Sequence, residues 1–317
     1  MEAITMNGPH PTIPIWRTVV AAYRAGLGAM FGDGALFRYF IYIYASLLSL
    51  IVLGLNLYHV ASRLASMAEP QTPGMTLLNI AVGMLLYVAY AAAIYPYAVA
   101  VHRKILLGET PRDYYAAAAM RRTQLRFLLA TIAVYAVFFV APFVNNLGVY
   151  LIYDLNPFDA PAVSRAYTAR PAIAAVVGIL SLLSYVGAAL ISARFTFAFP
   201  SIAIETPDAS LRRSLAETRG STWRLFFIFL LTFALPFTIF IILYVAATVV
   251  FLINHPELVR SPNMIASAML YSPPFLVLFA TMFIMSMVMI AVTAAAAARA
   301  YEIRVDRGMT RVAEVFS

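Results

Sequence analysis

Long stretches nearly free of charge alternate along this chain with short ones that hold most of the ionisable residues. A helix needs about 20 apolar residues to cross the hydrocarbon core of a bilayer. Six stretches reach that length: 39–58, 76–101, 127–153, 171–193, 225–253 and 273–298. A helix that is apolar all round needs apolar surroundings on every side. The pattern therefore predicts an all-α polytopic membrane protein, a single domain over 1–317. Its six transmembrane helices pair as hairpins over 39–101, 127–193 and 225–298.

The polar segments carry helix signals of their own. Glu109-Thr110-Pro111 and Glu205-Thr206-Pro207 each place Thr at a good N-cap and Pro at the first helical position. Asp113 and Asp208 follow in the first turn, at the positive helix end. These signals predict short cytoplasmic helices over 111–124 and 207–219, the second stopping near Gly220 in the left-handed cap conformation. Pro14 opens a third over 13–31, with Trp16, Val20, Tyr23, Leu27 and Phe31 on one face and Arg17 and Arg24 beside it. That is the pattern of an interfacial helix, and it also suits packing on the cytoplasmic ends of the spans. The tail over 300–317 offers a short turn from Met309 capped by Thr310. A short cytoplasmic helix followed by a membrane hairpin thus recurs over 13–103, 109–194 and 206–299, a possible threefold repeat. Parallel repeats enclose a central site in some transporters.

Charge fixes the sides. The odd-numbered turns hold only Arg63, Arg165, Arg170 and Arg260, so eighteen of the 22 Lys and Arg fall on the other side with both termini. Basic flanks are retained in the cytoplasm. The expected location is a bacterial inner membrane, multi-pass, with N and C termini cytoplasmic. Only one of the 22 is Lys (Lys104), a bias of GC-rich bacterial genomes. Composition agrees: 63% hydrophobic residues, 11% charged, mean hydropathy +0.84. A net charge of +8 would point to nucleic acid in a soluble protein. Here the arginines flank spans, so anionic headgroups are the expected partner, with Arg17, Arg24, Arg121, Arg122, Arg212, Arg213 and Arg219 the candidate contacts. The first 30 residues read as lacking a cleavable signal, since Arg17 and Arg24 interrupt any apolar core.

Catalytic signatures are sparse. There is no Cys, and His10, His59, His102 and His255 stand at no metal-ligand spacing. His59 and His255 share the outer side, yet read more simply as solvated or hydrogen-bonded. No phosphate-binding glycine loop or serine-hydrolase elbow occurs, so no cofactor is expected. The acids sit at loop edges, suited to caps and Arg pairs. At membrane depth the polar candidates are Pro142, Asn145, Asn146 and Asp154 of the third span and Pro236 of the fifth. They read either as a polar path or as a kink with interhelical hydrogen bonds, and the lack of full charge in mid-span favours the kink. Small residues (Gly178, Gly187, Ala294 to Ala298) permit close helix contact within or between chains.

The most distinctive stretch runs Arg194, Phe195, Thr196, Phe197, Ala198, Phe199, Pro200 to Glu205, then Ser214, then Gly220-Ser-Thr-Trp223-Arg224. With the opening Ile15-Trp16-Arg17-Thr18-Val19, it resembles the YciC-like group of bacterial multi-span proteins. That group is related to the membrane domain of some glycerophosphodiester phosphodiesterases. The resemblance implies an inner-membrane protein with an envelope role. The phosphodiesterase domain itself is missing from this sequence, so its activity does not carry over. The function expected is non-enzymatic: organisation of lipids or partner proteins at the cytoplasmic face. A transporter or channel for a small or amphipathic solute is the alternative. An intramembrane lipid enzyme would need a cluster of His and acids that the sequence does not supply.

Overall fold

The computed structural model describes residues 12–43, 45, 94–109, 118–153, 160–255 and 273–316. Every regular element among them is a helix: α1 (Ile15–Gly32), α2 (Gly34–Ile43), α3 (94–107), α4 (Ala118–Tyr153), α5 (Ala160–Ala169), α6 (Pro171–Arg194), α7 (Ala198–Ala203), α8 (Leu211–Glu217), α9 (Thr222–Asn254) and α10 (Pro273–Phe316). Three stretches, Pro171–Ala203, Thr222–Asn254 and Ile284–Val305, are long and apolar enough to cross a membrane. Most of the first span, residues 44 and 46–58, and residues 76–93 of the second lie outside the described residues.

Burial runs opposite to that of a water-soluble bundle. Only 11% of the most apolar window of Pro171–Ala203 is buried by protein, against 56% for Ile284–Val305. Ile179, Leu182 and Leu183 of α6 and Ile242, Val245 and Ile253 of α9 face outward. Such a surface is stable against hydrocarbon and not against water.

α10 lies at the centre, packed against α1, α9 and α7. Its buried face is built from small residues: Ala291, Ala294 to Ala298 and Ala300. α1 meets it backbone to backbone. A Cβ added at Gly26 would stand 2.8 Å from the Val292 Cα and 2.9 Å from the Ala291 oxygen, so only glycine fits. Small residues of α1 (Thr18, Ala22, Gly26, Ala29) turn inward, while Trp16, Val20, Leu27 and Phe31 stay exposed. The helix therefore packs on the spans with one face and presents its bulky apolar stripe with another.

Local signals place several boundaries. Pro14 takes an extended conformation before α1, and the Thr18 N–H and hydroxyl both donate to its carbonyl. Asp33 ends α1 and starts α2, its carboxylate accepting from the N–H groups of Ala35 and Leu36 while pairing with Lys104 at 2.8 Å. Gly108 and Gly220 take left-handed φ values of 70° and 79°. Pro200 sits in the first turn of α7, where the missing N–H costs nothing.

Elsewhere the boundaries differ from the sequence expectation. The helix expected over 207–219 is Leu211–Glu217, capped by Ser210, whose hydroxyl accepts from the Arg213 N–H. Thr206 instead closes a turn onto the Ser201 carbonyl. The preceding Glu205 has φ 58°, which turns the chain away before Pro207 can open a helix. The cytoplasmic helix expected over 111–124 and the third span share one uninterrupted helix from Ala118. The tail expected to turn at Met309 continues α10 to Phe316.

Candidate functional site

The end of the bundle expected to face the cytoplasm is stitched by arginines onto one irregular segment, 195–221. Helix termini leave their last carbonyls without intrahelical partners. In this segment several are met by guanidinium groups from other helices. Arg103 of α3 donates to the Ala203 carbonyl at 3.0 Å, and Arg126 of α4 to that of Ala209 at 3.0 Å. Arg194, last residue of α6, donates to Leu215 at 2.7 Å. Its own carbonyl is met in return by the hydroxyls of Ser214 at 2.7 Å and Thr218 at 3.1 Å. Buried Arg304 of α10 donates from Nε to Glu217 at 3.0 Å and from Nη2 to Arg219 at 2.9 Å. Arg224 of α9 reaches the Ile13 carbonyl at 3.2 Å. Cations at helix C-termini also meet the negative end of the dipole. Thr123 of α4 adds a hydroxyl bond to the Glu205 carboxylate. Residues assigned to one side by counting spans thus meet at one end of the bundle.

The predicted headgroup arginines divide. Arg17, Arg24, Arg122, Arg212 and Arg219 are exposed, and their guanidinium groups make no hydrogen bond or ion pair among the described residues. Arg213 differs. It binds Glu217 at 2.6 Å, with Asp208 at 3.6 Å, and the Glu217 hydrogen bond raises its pKa above the ordinary arginine value. Its charge is spent inside α8 rather than offered outward. The Arg121 side chain lies outside the described residues. Exposed Trp16 and Trp223 flank this end, as interfacial aromatics do.

Of the polar intramembrane set, Pro236 is described and buried within α9. Proline has no N–H to give the carbonyl four residues back. That carbonyl, Thr232 O, receives the Tyr23 hydroxyl of α1 at 2.7 Å. The proline is thus accommodated by helix packing. The side chains of Pro142, Asn145 and Asn146, and Asp154 altogether, lie outside the described residues, though the backbone of α4 is helical through 142–146.

His102 is fully enclosed beside Phe127, ring centroids 6.0 Å apart, and burial lowers its pKa to about 3. It is a neutral core residue. His255 packs on Phe251 at 4.7 Å, while His10 and His59 are outside the described residues. No group of three His, Asp or Glu gathers at metal-binding distance among the described residues. Asp33 caps, Glu109 pairs with Arg103 and Glu302 with Arg299, as expected of the acids, whereas Glu205 takes the Thr123 hydroxyl and Asp208 lies before the first turn of α8.

Sequence reasoning missed the stitching. Its local trace is Ser214 and Thr218, one turn apart on α8, both aimed at the end of α6. Fold and site together define an all-helical protein with apolar helices of membrane length and an arginine-bound terminal segment. No family model, curated protein or solved structure matches the chain, so the YciC-like resemblance rests on its own residues in 192–226 and 15–19.

Proposed function

We propose that the chain is a non-enzymatic protein of a bacterial inner membrane, with six spans and both termini in the cytoplasm. Its arginine-rich end would gather anionic lipids, or partner proteins bearing acidic surfaces, in maintenance of the envelope. The observation that carries this reading is the division of the arginines. One set is consumed by carbonyls; a second set, Arg17, Arg24, Arg122, Arg212 and Arg219, is exposed at the same end. Cations that pair with no described residue, beside interfacial tryptophans, match a headgroup layer of negative potential, at roughly 1 kcal/mol for each basic residue near the surface. A family role like that of the YciC-like proteins accords with this reading. Pro236 serves helix packing through Tyr23, which gives the transporter alternative no foothold there.

The test is lipid enrichment. Wild type and the combined Arg17→Gln, Arg24→Gln, Arg212→Gln variant are reconstituted in mixed phosphatidylcholine and phosphatidylglycerol. Co-purifying lipid is then measured against salt. Wild type should enrich phosphatidylglycerol at low salt and lose the enrichment as salt rises. Equal enrichment by the variant contradicts the proposal.

A further inference from the structure

A cavity of about 210 Å³ opens where α8, α9 and α10 converge, lined by Thr12, Arg219, Gly220, Ser221, Arg224 and Arg304. One water accounts for about 30 Å³ of liquid, so the space suits a polyatomic group. Three of the six lining residues are arginines, and none is acidic. Glu217, whose charge reaches Arg304, also pairs with Arg213 at 2.6 Å. An anion in the hollow lowers the energy of arginines gathered around it.

The surrounding bonds hold the hollow open. Arg304 is fixed by the Glu217 and Arg219 carbonyls and Arg224 by that of Ile13. The Arg219 guanidinium bonds no described residue and Arg224 is held by one carbonyl, so both keep N–H donors for a ligand, while Arg304 adds its charge. Ser221 is the N-cap residue of α9, but its hydroxyl makes no capping bond. The hydroxyl is therefore available to a ligand, beside the positive end of a 33-residue helix. Gly220, with φ 79°, forms the turn that brings Arg219 and Ser221 to one wall.

From this we infer that the cavity is a binding site for a single phosphate group, gripped by Arg219, Arg224 and Arg304 with the Ser221 hydroxyl. Guanidinium forks match phosphate oxygens in paired hydrogen bonds, and that geometry separates a built site from diffuse attraction to a charged surface. The phosphate is either that of a lipid headgroup or that of a soluble ion or ester. The lipid source rests on the membrane reading above; the soluble source does not.

Full-length protein in phosphatidylcholine nanodiscs is titrated with inorganic phosphate. In parallel, nanodiscs of equal phosphatidylcholine and phosphatidylglycerol are analysed by native mass spectrometry for retained phosphatidylglycerol. The variants are Arg219→Gln and Ser221→Ala at the cavity, and Arg38→Gln on α2, outside both the cavity and the headgroup set. The Arg219 guanidinium holds no other described residue and that of Arg38 only the Gly34 carbonyl of its own helix, so both variants should fold as wild type. The inference expects one saturable equivalent per chain, of phosphate in the first assay or of phosphatidylglycerol in the second, and the assay that saturates identifies the source. Arg219→Gln should weaken it roughly tenfold and Ser221→Ala severalfold, with Arg38→Gln unchanged. Absence of a one-to-one equivalent in both assays overturns the inference, and so does equal weakening by Arg38→Gln. Loss of bulk phosphatidylglycerol enrichment with the single equivalent intact would instead count against the wider lipid-gathering role alone.

Discussion

The hydroxyl of Tyr23 stands 2.7 Å from the carbonyl of Thr232 and supplies the donor that Pro236 withholds from its own helix. One bond therefore links α1 to the proline turn of α9. Tyr23→Phe should cost about 1 kcal/mol, the usual net value of such a bond. In a Pro236→Ala background the helix regains its N–H, and the same substitution should cost much less. Thermal unfolding of the four proteins in one detergent gives the coupling energy, expected near 1 kcal/mol. Equal costs in both backgrounds would separate Tyr23 from the proline.

The close approach of α1 and α10 makes a sharper prediction. Gly26→Ala drives a methyl into the Val292 backbone, which cannot move as a side chain would. The loss should be about 1–3 kcal/mol. Gly28→Ala, with open space at its Cβ, should be neutral or slightly stabilising through helix propensity. Melting temperatures of the pair read the difference directly.

The carbonyl-bound arginines should behave as core residues and the exposed ones as surface. Arg304→Met strips two donors from the Glu217 and Arg219 carbonyls and should cost about 3 kcal/mol. Arg212→Gln should stay within about 0.5 kcal/mol. Similar losses in the two would erase the division on which the functional reading stands.

Stability should also fall in mild acid through His102. In the unfolded chain its imidazole takes up a proton near pH 6.5, while burial holds the folded value down to about 3. Between these values the unfolded state binds the extra proton. Stability from this group is therefore whole above pH 6.5 and declines as pH drops, by up to about 1.4 kcal/mol per unit. The clean window is pH 6.5 to about 5, before carboxylates titrate. A His102→Gln variant should lose that slope; an unchanged slope assigns it elsewhere.

Much of the architecture was legible because it depends on local pattern. Membrane-length apolar helices follow from length, Pro14 marks the start of α1, and Gly220 takes the left-handed turn. Thr206-Pro207 misled for a physical reason. A Thr hydroxyl that caps a helix can equally close a turn, and the left-handed Glu205, held by Thr123 from α4, decides between them. The arginines were legible as a group gathered at one end of the bundle but not in task. Whether a guanidinium meets a lipid or a carbonyl depends on what lies across from it. For Arg304 that partner is 85 and 87 residues away in the chain. Tyr23 reads as part of the stripe of Trp16, Val20, Leu27 and Phe31, since nothing near it announces a proline on another helix.

The absence of cysteine from the chain permits the most direct test of orientation. Single substitutions Ala216→Cys, exposed on α8, and His255→Cys, exposed after α9, are expressed in a bacterial inner membrane. Spheroplasts are then treated with a membrane-impermeant maleimide. Position 255 should label at once, and position 216 only after the membrane is permeabilised. Labelling of position 216 in sealed spheroplasts would place the arginine-bound end outside the cell and contradict the account.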